Sequence, residues 1–154
     1  MSARELFRHA LLLAVVLVCG PSAMAVTFVV DSTADVGDAN AGDGVCATGG
    51  GACTLRAAIE EADALGGADT VSLGIGTYTL TSDNELDIDS DITITGVSSS
   101  STIIDGNNGT RIFDIQDNNT VSMSNLTLRN ADAGGGDGGA IDNDADLTLN
   151  RVVV

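Results

Sequence analysis

Short segments of this 154-residue chain repeat one another at nearly constant distance. Leu86-Asp87-Ile88 aligns with Phe113-Asp114-Ile115 about 27 residues later, and that segment with Ile141-Asp142-Asn143 about 28 residues further on. A second set, Ile92-Thr93-Ile94-Thr95, Val121-Ser122-Met123-Ser124 and Leu147-Thr148-Leu149-Asn150, follows at spacings of about 29 and 26. A third, Leu126-Thr127-Leu128 and Val152-Val153-Val154, is again about 26 apart. These segments alternate apolar and polar as half-buried strands do, as does Thr77 to Thr81. Turn chemistry separates them at Ser82-Asp83-Asn84, Gly96, Asp105 to Gly109 and Asp117-Asn118-Asn119. Units of two or three strands with apolar residues inward and Thr, Ser or Asp outward are what a parallel β-helix stacks, coil upon coil. A β-sandwich is the alternative, but it requires hairpin signals and gives no reason for a fixed repeat. The expected fold is therefore mainly β, a parallel β-helix over residues 70–154.

A solenoid leaves an apolar cross-section and unpaired strands at each end, and something must cover them. The stretch GACTLRAAIEEA, residues 51–62, is the one that reads as a helix. Leu55, Ala58, Ile59 and Ala62 fall on one stripe, Arg56 and Glu60 are spaced to pair beside it, Thr54 can cap its start, and Gly66-Gly67 can end it. Placed just before the first coil, this amphipathic helix is expected to close the solenoid, making residues 26–69 an N-terminal cap.

The first residues fit a secretory leader: Arg4 and Arg8, an apolar run from Ala10 to Val18, then Ala23-Met24-Ala25. That run is shorter than the roughly 20 residues of a membrane-spanning helix. Residues 1–25 are expected to be a signal peptide cleaved between Ala25 and Val26, which places the mature chain in the secreted or cell-surface space. Cys19 leaves with the leader; Val18 before it does not suit a lipid-anchor signal. The two cysteines that remain, Cys46 and Cys53, are expected to form a disulfide tethering the start of the helix, as cysteine pairs in exported chains do. Zinc is not their use, since a zinc site wants four ligands and the single histidine, His9, lies in the leader.

The formal net charge of −16 argues against nucleic acid or an anionic membrane as partners. Asp35, Asp38, Asn40 and Asp43 are interleaved with glycine, which suits either a turn-rich segment or an oxygen-ligand calcium loop. The EF-hand register fails, because glycine occupies the third ligand position and no glutamate closes the loop. Calcium is the one cofactor these residues admit. Asp87, Asp114 and Asp142 share one outward position, so their carboxylates should stack at about 5 Å with a repulsion near 1 kcal/mol per pair in water. Either cations bridge this ladder or it stands as a solvated acidic face. Without histidine or lysine in the mature chain, Ser-His and Cys-His nucleophiles are absent, and any general base must be a carboxylate. No pair of acids is marked out for glycoside chemistry, so a non-enzymatic role is expected.

"FVVDSTADVGDANAGDGVC" followed by "CTLRAAIEEAD" resembles the N-terminal domain named for its Cys-Ser-Leu-Arg-Glu-Ala motif. The motif stands here as Cys53-Thr54-Leu55-Arg56-Ala57-Ala58, departing at Thr54 and Ala57, and the resemblance covers residues 27–82. "GGAIDN", residues 138–143, is similar to a motif of polymorphic outer-membrane and pectate-lyase-like β-helix proteins. The resemblance implies a right-handed β-helix displayed outside the cell, serving structure or adhesin-like interaction with surface glycans or proteins, and it carries over no catalytic residues. The competing reading is a carbohydrate-binding or carbohydrate-cleaving β-helix whose cleft lies in coils beyond residue 154. Because the sequence stops inside an expected strand, further coils are expected in a full-length chain.

Overall fold

The computed structural model describes residues 24–82, 84–116, 118–136 and 138–154. Most of the expected leader, including Arg4, Arg8, His9, Cys19 and Ala23, lies outside the described residues, as do Asp83, Asp117 and Asp137 in the turns. Strand β1 (Thr27–Val29) and helix α1 (Leu55–Leu65) precede the strands β2 (Ala68–Ser72), β3 (Gly76–Thr79), β4 (Leu86–Ile88), β5 (Asp91–Thr95) and β6 (Thr102–Asp105). Then come β7 (Phe113–Ile115), β8 (Thr120–Ser124), β9 (Thr127–Arg129), β10 (Ile141–Asn143) and β11 (Asp146–Asn150). They form three parallel sheets, β1-β2-β5-β8-β11, β4-β7-β10 and β3-β6-β9, so each full coil lays one strand in each sheet. Among the described residues no helix is long and apolar enough to cross a membrane.

The register is the one the repeat implies. Leu86 pairs with Phe113 and Phe113 with Ile141; Ile92 pairs with Val121 and Val121 with Leu147. The third repeat meets only at a single bridge, Thr127 to Val153. Two strands that the repeat does not flag complete the sheets: β6 lies over β3, with Ile104 on Tyr78, and β1 lies beneath β2, with Phe28 under Val71.

Inward side chains stack into apolar ladders. Phe28, Val71, Ile94, Met123 and Leu149 occupy successive rungs of the five-stranded sheet, and Tyr78, Ile104 and Leu128 those of the β3-β6-β9 sheet. Ile94, Met123 and Ile104 are fully buried, whereas Leu149, with no coil over it, is 43% exposed. Each buried rung contributes at most about 1.5–3 kcal/mol from area removed from water. Thr and Ser face outward as expected, and Thr95 and Ser124 hydrogen-bond across coils at 3.3 Å. With only three aromatic residues from Val26 onward, it is mainly aliphatic side chains that fill the core.

The bend after the central strand stacks Gly96, Asn125 and Arg151. Asn125 and Arg151 both adopt positive φ, 56° and 55°, a conformation asparagine tolerates and arginine adopts with strain. Gly96 is fixed by space instead: a Cβ there would overlap the carbonyl oxygen of Asn125 and lie 2.8 Å from Thr102 Cβ. Gly96→Ala is expected to destabilise the protein by about 1–3 kcal/mol through this overpacking. Equilibrium denaturation measures it, and an unchanged midpoint would contradict the close coil contact.

The helix forms where the spacing places it. Thr54 caps it, its Oγ1 accepting the Ala57 N–H at 3.1 Å, and Gly66 ends it at φ 65°. Leu55, Ala58, Ile59 and Ala62 are buried in the core. In chain order α1 precedes β2 as β4 precedes β5, and it packs on both β4 and β2, standing in the first coil where the other coils place a strand. It thereby covers the β4 edge of its sheet. The expected Arg56–Glu60 pair does not form, because each is drawn into the loop before the helix. Arg56 donates to Asp35 at 2.7 Å, and Glu60 accepts the Asp38 N–H at 2.6 Å. The Cys46–Cys53 disulfide is formed, with Cα atoms 5.1 Å apart. Fully buried Glu61 accepts the N–H groups of Gly42 and Gly44, pinning the same loop from the other side.

Candidate functional site

The acidic residues converge where α1 meets the β4 edge. A groove of about 460 Å³ runs there, with Ile59 and Leu86 in its floor and Glu60, Asp63, Asp87 and Asp89 around it. It adjoins a smaller hollow of about 300 Å³ that shares Arg56, Glu60 and Asp87 and adds Glu85. The strand alternation that sends Leu86 and Ile88 inward turns Asp87 out, and one coil along the same register turns out Asp114.

The ladder of Asp87, Asp114 and Asp142 is in register as expected. Its charges are handled unevenly. Arg111 reaches Asp142 at 3.1 Å and Glu85 at 3.3 Å, and also donates to the Gly138 carbonyl. Among the described residues, Glu85, Asp87 and Asp114 form the group of carboxylates whose oxygens all lie within 4.8 Å of one another. Partial burial, with the charges of Asp114 and Asp89, raises the pKa of Asp87, and Arg56 offsets part of this. Three carboxylate ligands supply part of the six to eight oxygens calcium takes, leaving the rest to water.

Asp63 is the most perturbed of these acids. Burial pushes its pKa up to about 6, and the nearby Asp89 and Asp87 charges add to the rise, against hydrogen bonds from Ser90 Oγ at 2.7 Å and the Asp89 N–H at 3.1 Å. A carboxyl whose folded pKa is raised holds its proton better in the folded state, so its contribution is greatest below about pH 4 and is lost as pH rises through about 6. Asp63→Asn keeps an acceptor for both donors. It is expected to raise the melting temperature at pH 7 and leave it unchanged at pH 4; equal shifts at both would contradict the assignment.

The Asp35–Asp43 segment is not gathered into one cage. Asp35 is engaged by Arg56, by the Thr81 and Ser82 N–H groups and by Ser82 Oγ. Asp38 accepts the N–H groups of Asn40 and Ala47, and Asp43 that of Val45, as turn residues do. These side chains build the loop that holds α1. The sequence pattern left Glu85, Arg111 and Asp63 unmarked. For Asp63 a signal was available: four residues after Ile59, it continues the buried stripe, and an acid there stands out.

Compared with known proteins, the chain matches no family model, no curated protein and no solved structure.

Proposed function

We propose that this chain is a capped, exported β-solenoid that serves as a structural or adhesive element at the cell surface. The observation that carries this reading is the built cap on the first coil. At the first coil, a helix, a disulfide and a loop bonded through Asp35 and Glu61 cover the strands. The leader pattern, the disulfide and the resemblance of residues 27–82 to the Cys-Ser-Leu-Arg-Glu-Ala domain support placement outside the cell. Production of the chain from Met1 in a bacterial host tests it. The protein is expected in the extracellular or surface fraction with its disulfide oxidised; retention of an uncleaved, reduced chain in the cytoplasm would contradict it.

The second reading, carbohydrate binding or cleavage, is favoured by the groove, where burial raises the pKa of Asp63 to about 6 and suits it to donate a proton. Its test is a polysaccharide panel with wild type and Asp63→Asn. Depolymerisation that the substitution abolishes would favour this reading over the structural one.

A further inference from the structure

Asp69 stands where the core calls for an apolar residue. In the five-stranded sheet it occupies the rung beneath Ile92, Val121 and Leu147, pointing inward, and it is 1% exposed. A carboxylate so buried must be paired. Its Oδ1 accepts the backbone N–H of Val26 at 2.7 Å, while Oδ2 is buried with no hydrogen-bond partner among the described residues. One amide N–H is therefore half of what this carboxylate requires. A primary ammonium carries three donors and a full positive charge.

Val26 is also the residue that follows the small-residue junction Ala23-Met24-Ala25. Met24 is 83% exposed and Ala25 is exposed, so the bond before Val26 is open to a protease. Val26 itself is anchored. Its carbonyl accepts the Thr70 N–H at 2.8 Å, and its side chain packs on the core. The nitrogen is held at Asp69 by contacts that do not involve the leader.

We propose that hydrolysis of the Ala25–Val26 bond turns this amide nitrogen into an α-ammonium group that ion-pairs with Asp69, so that removal of the leader completes the first coil. The inference rests on the export reading, and the protease is one of the leader-removing class that recognises small residues at the first and third positions before the cut. Water supplies the balance: its hydroxyl joins the Ala25 carbonyl carbon, a proton joins the Val26 nitrogen as the C–N bond breaks, and a second proton from solvent gives the ammonium. The polar rung thus acts as a receptor for the new chain end.

The test uses intact mass of the exported protein and denaturation of two purified chains, one beginning at Val26 with a free amine, the other retaining Ala25. The exported protein is expected to begin at Val26. The free-amine chain is expected to have an unfolding equilibrium constant at least about tenfold smaller than the chain retaining Ala25. In Asp69→Ile, which matches the ladder above it, that advantage should vanish or reverse. Equal stabilities with Asp69 present, or an advantage that persists in Asp69→Ile, would overturn the ion pair alone. An exported protein beginning elsewhere would overturn the cleavage site, and a chain that is not exported at all would overturn the export reading with it.

Discussion

Replacing Asp35 by alanine is expected to remove about 3–5 kcal/mol of stability, the range found when one partner of a buried ion pair is deleted. The Asp35 side chain is 3% exposed, and that of its partner Arg56 13%. One carboxylate oxygen takes Arg56 Nε at 2.7 Å; the other takes the Thr81 and Ser82 N–H groups at 2.7 and 2.9 Å and Ser82 Oγ at 3.0 Å. Together with Arg56, Asp35 therefore joins three pieces of chain at one point: the loop before the helix, the helix, and the connection from β3 to β4. Without it, the guanidinium keeps Ser82 Oγ and the carbonyls of Asn84 and Glu85 but loses its ion-pair partner. Burial alone would raise the Asp35 pKa, but the hydrogen bonds from Arg56, Ser82 and Thr81 and the Arg56 charge hold it below the ordinary carboxylate value. Its contribution is thus present above about pH 4 and is lost as pH falls through the lowered folded value. Urea denaturation at pH 7 and pH 3 checks both statements. Asp35→Ala should be strongly destabilised at pH 7 and less so at pH 3; a loss under about 1 kcal/mol at pH 7, or an equal loss at both, would contradict the account.

Ile59→Asp is expected to have an effect at least as large. Ile59 is 2% exposed and lies between the helix and the first coils. Truncation to alanine should cost about 2–5 kcal/mol by loss of contacts and cavity formation. A carboxylate there adds a buried charge beside the acids Glu60, Asp63 and Asp87. A chain whose first coil loses its helix exposes the β4 edge and the apolar rungs behind it, so aggregation should accompany unfolding. Circular dichroism and size exclusion of the purified chain measure the outcome. A soluble, fully structured Ile59→Asp protein would show that the helix does not close the solenoid.

The coils were legible in the sequence because a stacked strand repeats its constraint. Asp87, Asp114 and Asp142 sit at one position in three coils, and the apolar neighbours on each side mark that position at every pass. Thr102–Asp105 and Thr27–Val29 escaped for the opposite reason. The first differs in composition from the strands it joins, and the second is separated from its partner β2 by the whole cap. The helix was legible from its stripe, its threonine cap and its glycine stop, all local features. The Arg56–Asp35 pair was not, since the i, i+4 rule ranks helix neighbours and is silent on a carboxylate brought over by a loop. The acidic groove was visible only in part. Outward alternation identifies Asp87, but the proximity of Glu85 and the burial of Asp63 come from how the helix sits on β4. Asp69 breaks the pattern most openly, an acid at an inward rung.

The central claim is that coils about 27 residues apart stack in parallel register upon a closed first coil, and proton NMR on the isotopically labelled protein tests it most directly. Cross-strand contacts are expected between Ile94 and Met123, between Phe113 and Leu86, and between Val71 and Ile94, with Ile59 methyl contacts to the first coils. Contacts instead between neighbouring strands in antiparallel order, as when β4 folds back on β5, would contradict the solenoid and return the chain to a sandwich.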